Sequence, residues 1–352
     1  MMQESRSLLR TIGQRWQEWR EDTADASWWR WLSRGFVAYL LLAVLLGMYW
    51  SLIPDRFDVA GQAAALAADN NGRVVTGSAT TGALITVLDT LLDKPGGFIR
   101  NDIFPPGIWL DNMPSWEYGV LIQSRDLARA LREVHSRSQS QSTEDKDLAE
   151  AEPHFNFSAN SWMLPASESE YRAGLKELRS YFRRLSDDDD SDAQFYARAD
   201  NLRYWLNSAA NRLGSLSQRL SASVGQRRLN TDLAGDADAT QSTVAPTEKI
   251  VRTPWLQIDN VFYEARGTAW ALMHFLKAAE IDFADVLAKK NAQVSLQQII
   301  RELESTQDRM WSPIVLNGTG FGIVANHSLV MANYLSRANA AIVDLRDLLA
   351  KG

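Results

Sequence analysis

The chain contains no cysteine among its 352 residues. Disulfides, thiolate metal sites and a cysteine nucleophile are thereby excluded. Histidine is scarce too: His135, His154, His274 and His327 are the complete set. No two of them stand at metal-ligand spacing, and H-E-x-x-H does not occur. The sequence therefore predicts no metal site, no cofactor and no catalytic residue. His274 lies beside Trp270 in an apolar helical stretch and reads as a packed histidine. Basic excess is also missing. Net charge is −6, and the residues before Gly35 hold six arginines against five acids, which leaves −7 for the remainder. Such a body is not expected to bind nucleic acid, whose recognition rests on neutralising phosphates. Segments with strand periodicity are absent as well.

What is present begins with a long charge-free run, Gly35 to Ile53. As a helix it covers roughly 28 Å, close to the hydrocarbon thickness of a bilayer. Trp28, Trp29 and Trp31 precede it, and Tyr49 and Trp50 close it. These rings match the aromatic belts at headgroup depth. Arg20, Arg30 and Arg34 lie before the run, against Arg56 and Arg73 after it, which places the N-terminus in the cytoplasm. A cleaved signal peptide fits less well, because 34 residues come first and Pro54-Asp55-Arg56-Phe57 follows directly. An uncleaved signal anchor is expected. Leu8, Ile12, Trp16 and Trp19, with arginines among them, suit an amphipathic helix at the headgroups.

Beyond the anchor the pattern is helical. Phe195, Ala199, Leu202, Leu206, Ala209, Leu213, Leu216 and Leu220 step 4,3,4,3,4,3,4, a coiled-coil-like seam. Ser191 and Gln194 form a capping box before it. Shorter seams run from Tyr171 to Leu185 after a Ser167–Glu170 box, from Val120 to Val134, and from Val324 to Leu349. Further helices are expected at Leu84–Leu91, Leu296–Leu303 and Ala269–Phe283. The fold class predicted is all-α: one N-terminal transmembrane helix, then an elongated antiparallel bundle with coiled-coil-like seams. The expected divisions are a cytoplasmic amphipathic segment 1–34, an anchor 35–53, a helical block 54–229, a linker 230–250 and a second block 251–352 packing on the first. Ser136 to Glu152 reads as a flexible connector. Asp187 to Asp190, with Asp192, lacks the spacing of a calcium loop and reads as a solvated turn.

Two segments stand out as candidate binding elements. Asn317-Gly318-Thr319-Gly320-Phe321-Gly322 precedes the last helix, with Asn326 and His327 following. It lacks both the preceding strand and the spacing of a dinucleotide fingerprint, but free N–H groups there could meet an anion. The second runs from Lys94-Pro95-Gly96-Gly97-Phe98 to Trp116 and carries Phe104, Trp109, Asp111 and Asn112. Its aromatics either plug the end of the bundle or form a recognition surface. The candidate binding residues are accordingly Trp109, Asp111, Asn112, Trp116, Asn317, Gly318, Gly320, Gly322, Asn326 and His327.

Leu91-Leu92-Asp93-Lys94-Pro95-Gly96-Gly97, Pro105 to Pro114, Arg198-Ala199-Asp200-Asn201-Leu202 and Asn317 to Gly322 together resemble a bacterial family of uncharacterised membrane proteins. It is number 2333 among the domains of unknown function, and the resemblance covers most of the chain after the anchor. It implies a Gram-negative envelope protein and brings no activity or catalytic residue. The expectation is a single-pass inner-membrane protein with a periplasmic body. Its role would be a non-enzymatic scaffold or interaction module that binds an envelope protein or itself, besides the bilayer. A ligand-sensing ectodomain and an envelope hydrolase are the alternatives. No second span or signalling domain supports the first, and no paired-carboxylate signature supports the second.

Overall fold

A computed structural model of the chain describes residues 28–70, 72–139, 141–187, 193–229 and 248–351. The chain divides into two compact units, Met1–Trp50 and Ser51–Gly352. In the first, the described residues form helix α1, Trp28–Trp50. Its length and apolarity suffice to cross a membrane, and a signal sequence would meet the same criteria. Phe36, Leu41, Leu45 and Met48 are exposed along it. The helix takes in the tryptophan cluster and stops before Ile53, whose position ahead of Pro54 disfavours helical backbone. Of the expected amphipathic segment, residues 1–27 lie outside the described residues.

The second unit is all-α apart from one short hairpin. Its helices are α2 Val59–Asp69, α3 Ser78–Asp93, α4 Asn112–Ala130, α5 Lys146–Phe155, α6 Ser167–Ser186, α7 Ala199–Ser221, α8 Ile258–Asp282, α9 Ala284–Lys289, α10 Gln293–Ser305 and α11 His327–Ala350. Helix α8 is the axis. Every residue from Ala265 to Leu276 is buried, and α2, α3, α4, α7, α10 and α11 all pack on it. A helix apolar all round belongs at a centre. Its end serves α3: Asp282 accepts the backbone N–H groups of Gly77 (2.8 Å) and Thr80 (2.6 Å), capping orphan donors of the α3 first turn.

The two longest seams meet each other. Leu202, Leu206, Leu213 and Leu220 of α7, and Leu335, Ile342 and Leu345 of α11, are buried. Ser217 Oγ donates to the Ala332 carbonyl at 3.0 Å, while Gly214, one turn earlier, faces Asn339, two turns later. The pair is therefore antiparallel. Helices α4 and α8 run in the same direction, with His135 against Phe283 just past both C-terminal ends. They approach closely because both present glycine. A Cβ on Gly119 would come within 2.1 Å of the Glu264 carbonyl oxygen, and one on Gly267 within 2.1 Å of that of Trp116.

Several local expectations need correction. Strands do occur: β1 Gln226–Leu229 pairs antiparallel with β2 Glu248–Val251, in register from Gln226↔Val251 to Leu229↔Glu248. Both strands are mostly exposed, so no apolar alternation announced them. Of the expected linker 230–250 only 248–250 falls within the described residues, and it belongs to β2, paired with β1 just ahead of the linker. The connector from Ser136 gives way to α5, whose Leu148, Ala151 and Phe155 are buried on one face, with Asp145 accepting N–H from Asp147 and Leu148. Helix α7 begins at Ala199, not Phe195; the Tyr196 N–H is held by the His135 carbonyl at 2.6 Å. Ser191 and Asp188 to Asp190 lie outside the described residues, as does Asp192. Ser167 does not cap α6. Its hydroxyl reaches back to the carbonyls of Ser158 and Ser161.

Candidate functional site

Because α4 and α8 are parallel, the loops before them gather at one end of the body, together with the segment leading into α11. The loop from Lys94 is split in two by a buried carboxylate. Glu117, on the first turns of α4, accepts N–H from Ile99 (2.9 Å) and Arg100 (2.8 Å) and lies 2.6 Å from Lys94 Nζ. Lys94 also donates to the Gly97 carbonyl at 2.6 Å. Burial pushes the Glu117 carboxyl up to about 6 against the pull of Lys94 and the two amides. Phe98 is buried edge-on against Tyr171, and Trp116 is buried against Trp270. The front of this loop, with Trp116, is thus core. Beyond Arg100 the character reverses. Ile103, Phe104, Ile108 and Trp109 are exposed, with Phe104 edge-on to Trp162 at 5.8 Å. Proline did not prevent a helix here: Pro114 sits in the first turn of α4, where an N–H has no helical partner to lose.

The two candidate segments come together. Asp111 and Asn112 share a cleft of about 200 Å³ with Asn317, Trp255, Leu256 and Asp259. Trp109 stands exposed and is not among the residues lining that cleft. Asn317 pairs with Asn326 in an isolated antiparallel bridge. Asn326 Nδ2 donates to Asn317 Oδ1 (2.9 Å) and to the Gly318 carbonyl (2.6 Å), and its Oδ1 accepts the Leu329 N–H, capping α11. The Gly318 N–H reaches the Ala325 carbonyl at 3.0 Å. A Cβ on Gly318 would sit 1.8 Å from the Val324 carbonyl oxygen, so only glycine fits this crossing. Gly320, at φ +82°, turns the loop, and Gly322 lies at its tip. The closed loop presents Phe321 and Ile323, whose side chains are wholly exposed. Residues 311–317 form a strap between this cleft and the next, and His327 lies on its far side, with Nδ1 accepting the Leu316 N–H at 3.1 Å. It lines a separate cleft of about 430 Å³ with Trp311, Phe262 and Arg266.

A third cleft, about 640 Å³, lies between α4, α7 and α8. Two ion pairs cross it, while Arg129, also on its lining, lies 3.8 Å from Glu152 of α5. Arg212 Nε bonds Asp126 at 2.9 Å, and Arg219 holds Glu264 through two contacts of 2.7 Å. These pairs tie the helices together. Glu264 is thereby engaged, and His274 equally so: its Nδ1 meets the Trp270 carbonyl at 2.8 Å, and its Nε2 accepts the Phe57 N–H at 3.2 Å. Burial lowers His274 to about 4, so this doubly bonded imidazole is neutral.

Sequence reasoning missed Trp255, Leu256, Trp311 and Arg266. The tryptophans had a readable signal, since each adjoins a proline-containing turn with no apolar periodicity to bury it. Arg266 had one too: it lies in an apolar run with no acid three or four positions to either side.

A family model described as an uncharacterised protein conserved in bacteria, DUF2333, matches residues 22–352. No curated protein and no solved structure matches the chain.

Proposed function

This chain belongs to the bacterial family DUF2333, and from that premise we propose that it is a single-pass inner-membrane protein whose periplasmic body is a non-enzymatic interaction module of the cell envelope. Helix α1 supports the anchoring, and the arginines ahead of it support a cytoplasmic N-terminus. The observation that carries the reading is the exposed apolar end. Trp109, Trp255, Trp311, Phe321 and Ile323 are each at least half exposed on loops around the starts of α4, α8 and α11. Exposed aromatics concentrated in this way mark a contact surface. The seams of α7 and α11 are buried against each other, which favours the loops over those seams as the contact surface. Association therefore falls to the loops, and the occupant is an envelope protein.

In-cell photo-crosslinking with a probe at Trp109 or Phe321 of the full-length protein tests this. The expected result is a discrete adduct with another envelope protein, absent when the probe replaces an exposed α6 residue such as Arg183. No adduct from either position would overturn the reading, as would a reporter after Gly352 that is active in the cytoplasm.

A further inference from the structure

Arg266, 7% exposed on α8, is one of two buried arginines among the described residues, the other being Arg184. Its Nη2 donates to the carbonyls of Gln307 (3.0 Å) and Asp308 (2.8 Å). Its Nε is buried with no partner. Among the described residues no carboxylate lies within 4.0 Å of the guanidinium. Arg184, by contrast, holds Asp145 and Asp147, and the half-exposed Arg212 and Arg219 each hold an acid. A buried cation without a counter-charge is costly in a folded chain unless something else supplies that charge. Burial lowers the Arg266 pKa more than Tyr263 and Asp308 raise it, which agrees with an under-neutralised site.

Arg266 lines the cleft of about 430 Å³ beside the strap, a size within the usual ~300–1,000 Å³ of small-molecule sites. The walls are chiefly apolar: Phe262, Leu316, Met331 and Trp311. Its charged lining comprises Arg266 and Arg309 against one acid, Asp308, and Arg309 stacks over the Trp311 ring at 4.7 Å. His327 has Nδ1 occupied by the Leu316 N–H, which leaves Nε2 as the protonated nitrogen of the neutral ring.

We propose that this cleft binds an anionic amphiphile, with a carboxylate or phosphate head on Arg266 and an alkyl chain against Phe262, Leu316, Met331 and Trp311. A planar guanidinium matches both heads. The chain segment would cover apolar surface that is otherwise open to water. This goes beyond partner contact by the loop end; the two share Trp311, and their outcomes stay distinguishable because Trp109 and Phe321, the crosslinking positions, do not line the cleft.

The test uses the full-length protein in nanodiscs of zwitterionic lipid, with empty nanodiscs as background. An 11-carbon dansylated fatty acid reports occupancy, and decanoate, decyl phosphate, decanol and decyltrimethylammonium compete for it. Decanoate or decyl phosphate is expected to displace the probe at concentrations about tenfold below decanol, the factor expected from one charge-assisted contact. The stronger of the two anions identifies the head as that of a free fatty acid or of a phospholipid-type ligand. Arg266→Met is expected to abolish the preference for anions. Val330→Trp, at a half-exposed position on the wall, is expected to remove probe binding while leaving helix content and Tm unchanged. Equal competition by all four compounds would overturn the proposal, as would an anion preference that survives Arg266→Met. Should Arg266→Met fail to fold, probe binding undiminished by Val330→Trp overturns it.

Discussion

Lys94 Nζ lies 2.6 Å from Glu117 Oε1, and neither side chain reaches solvent. This one ion pair decides which part of the proline- and glycine-rich loop belongs to the core. Removing the lysine by Lys94→Met strands a buried carboxylate and should cost about 3–5 kcal/mol, the usual cost of breaking such a pair. A denaturant midpoint well below wild type, partly restored in Lys94→Met/Glu117→Gln, is the expected reading.

The same carboxyl gives the fold a pH signature. Its pKa rises from 4.5 unfolded to about 6 folded, so the folded state holds the proton more tightly. That stabilisation is present at acid pH and fades as pH climbs through 4.5 to 6, by on the order of 2 kcal/mol. Because the buried His135 and His274 titrate with the opposite sign over the same window, the reading is a difference: Glu117→Gln should gain about 2 kcal/mol more stability than wild type between pH 4.5 and 6.

His135 acts with the opposite sign. It stacks on Phe195 at 5.2 Å, neither ring nitrogen has a partner, and burial drives it down to about 3. Below pH 6.5 the unfolded chain takes up a proton that the folded chain refuses. Stability therefore drops toward acid by roughly 1.4 kcal/mol per pH unit from this group. His135→Phe keeps the stacking ring and should flatten that acid slope without lowering Tm at pH 7. An unchanged slope would refute the assignment.

Glycine at the α4–α8 crossing makes a steric prediction. Gly119→Ala and Gly267→Ala each place a methyl 2.1 Å from a carbonyl oxygen and force the helices apart, costing about 1–3 kcal/mol or more. Gly214→Ala meets nothing nearer than Asn339 Nδ2 at 3.4 Å and should be neutral or stabilising by helix propensity. Thermal melts of the three variants separate the cases.

The loop tip should behave as surface in every assay but one. Phe321→Ser and Ile323→Ser should shift stability by less than about 0.5 kcal/mol, as ordinary surface changes do. Both should nonetheless abolish the adduct captured from Trp109. Retention of that adduct in both variants would remove the tip from the contact surface.

Helices with a long one-sided apolar seam, such as α7 and α11, were legible because their period survives in the sequence whatever they pack on. Helix α5 was not, since Leu148, Ala151 and Phe155 are dispersed among acids, and β1 with β2 bury too little to alternate. Part of the loop end was legible as well. Asp111, Asn112 and Asn317 were singled out separately, but their meeting depends on α4 and α8 running parallel, which no local pattern encodes. Trp116 was misjudged as a surface candidate for the same reason: its burial is decided by Trp270 and Gly267 on another helix. Arg266 is the instructive omission. A lone cation in an apolar helix, with no acid one turn away, is a signal that the order of residues displays by itself.

The bridge between Asn317 and Asn326 has an evolutionary corollary. With both ends of the loop fastened to one another and the cap of α11 secured by the same asparagine, the exposed side chains of Phe321 and Ile323 carry no obligation to the scaffold. Mutation can recolour those two side chains and retune what the fingertip touches, while the glycines that shape it and the helices beneath stay as they are.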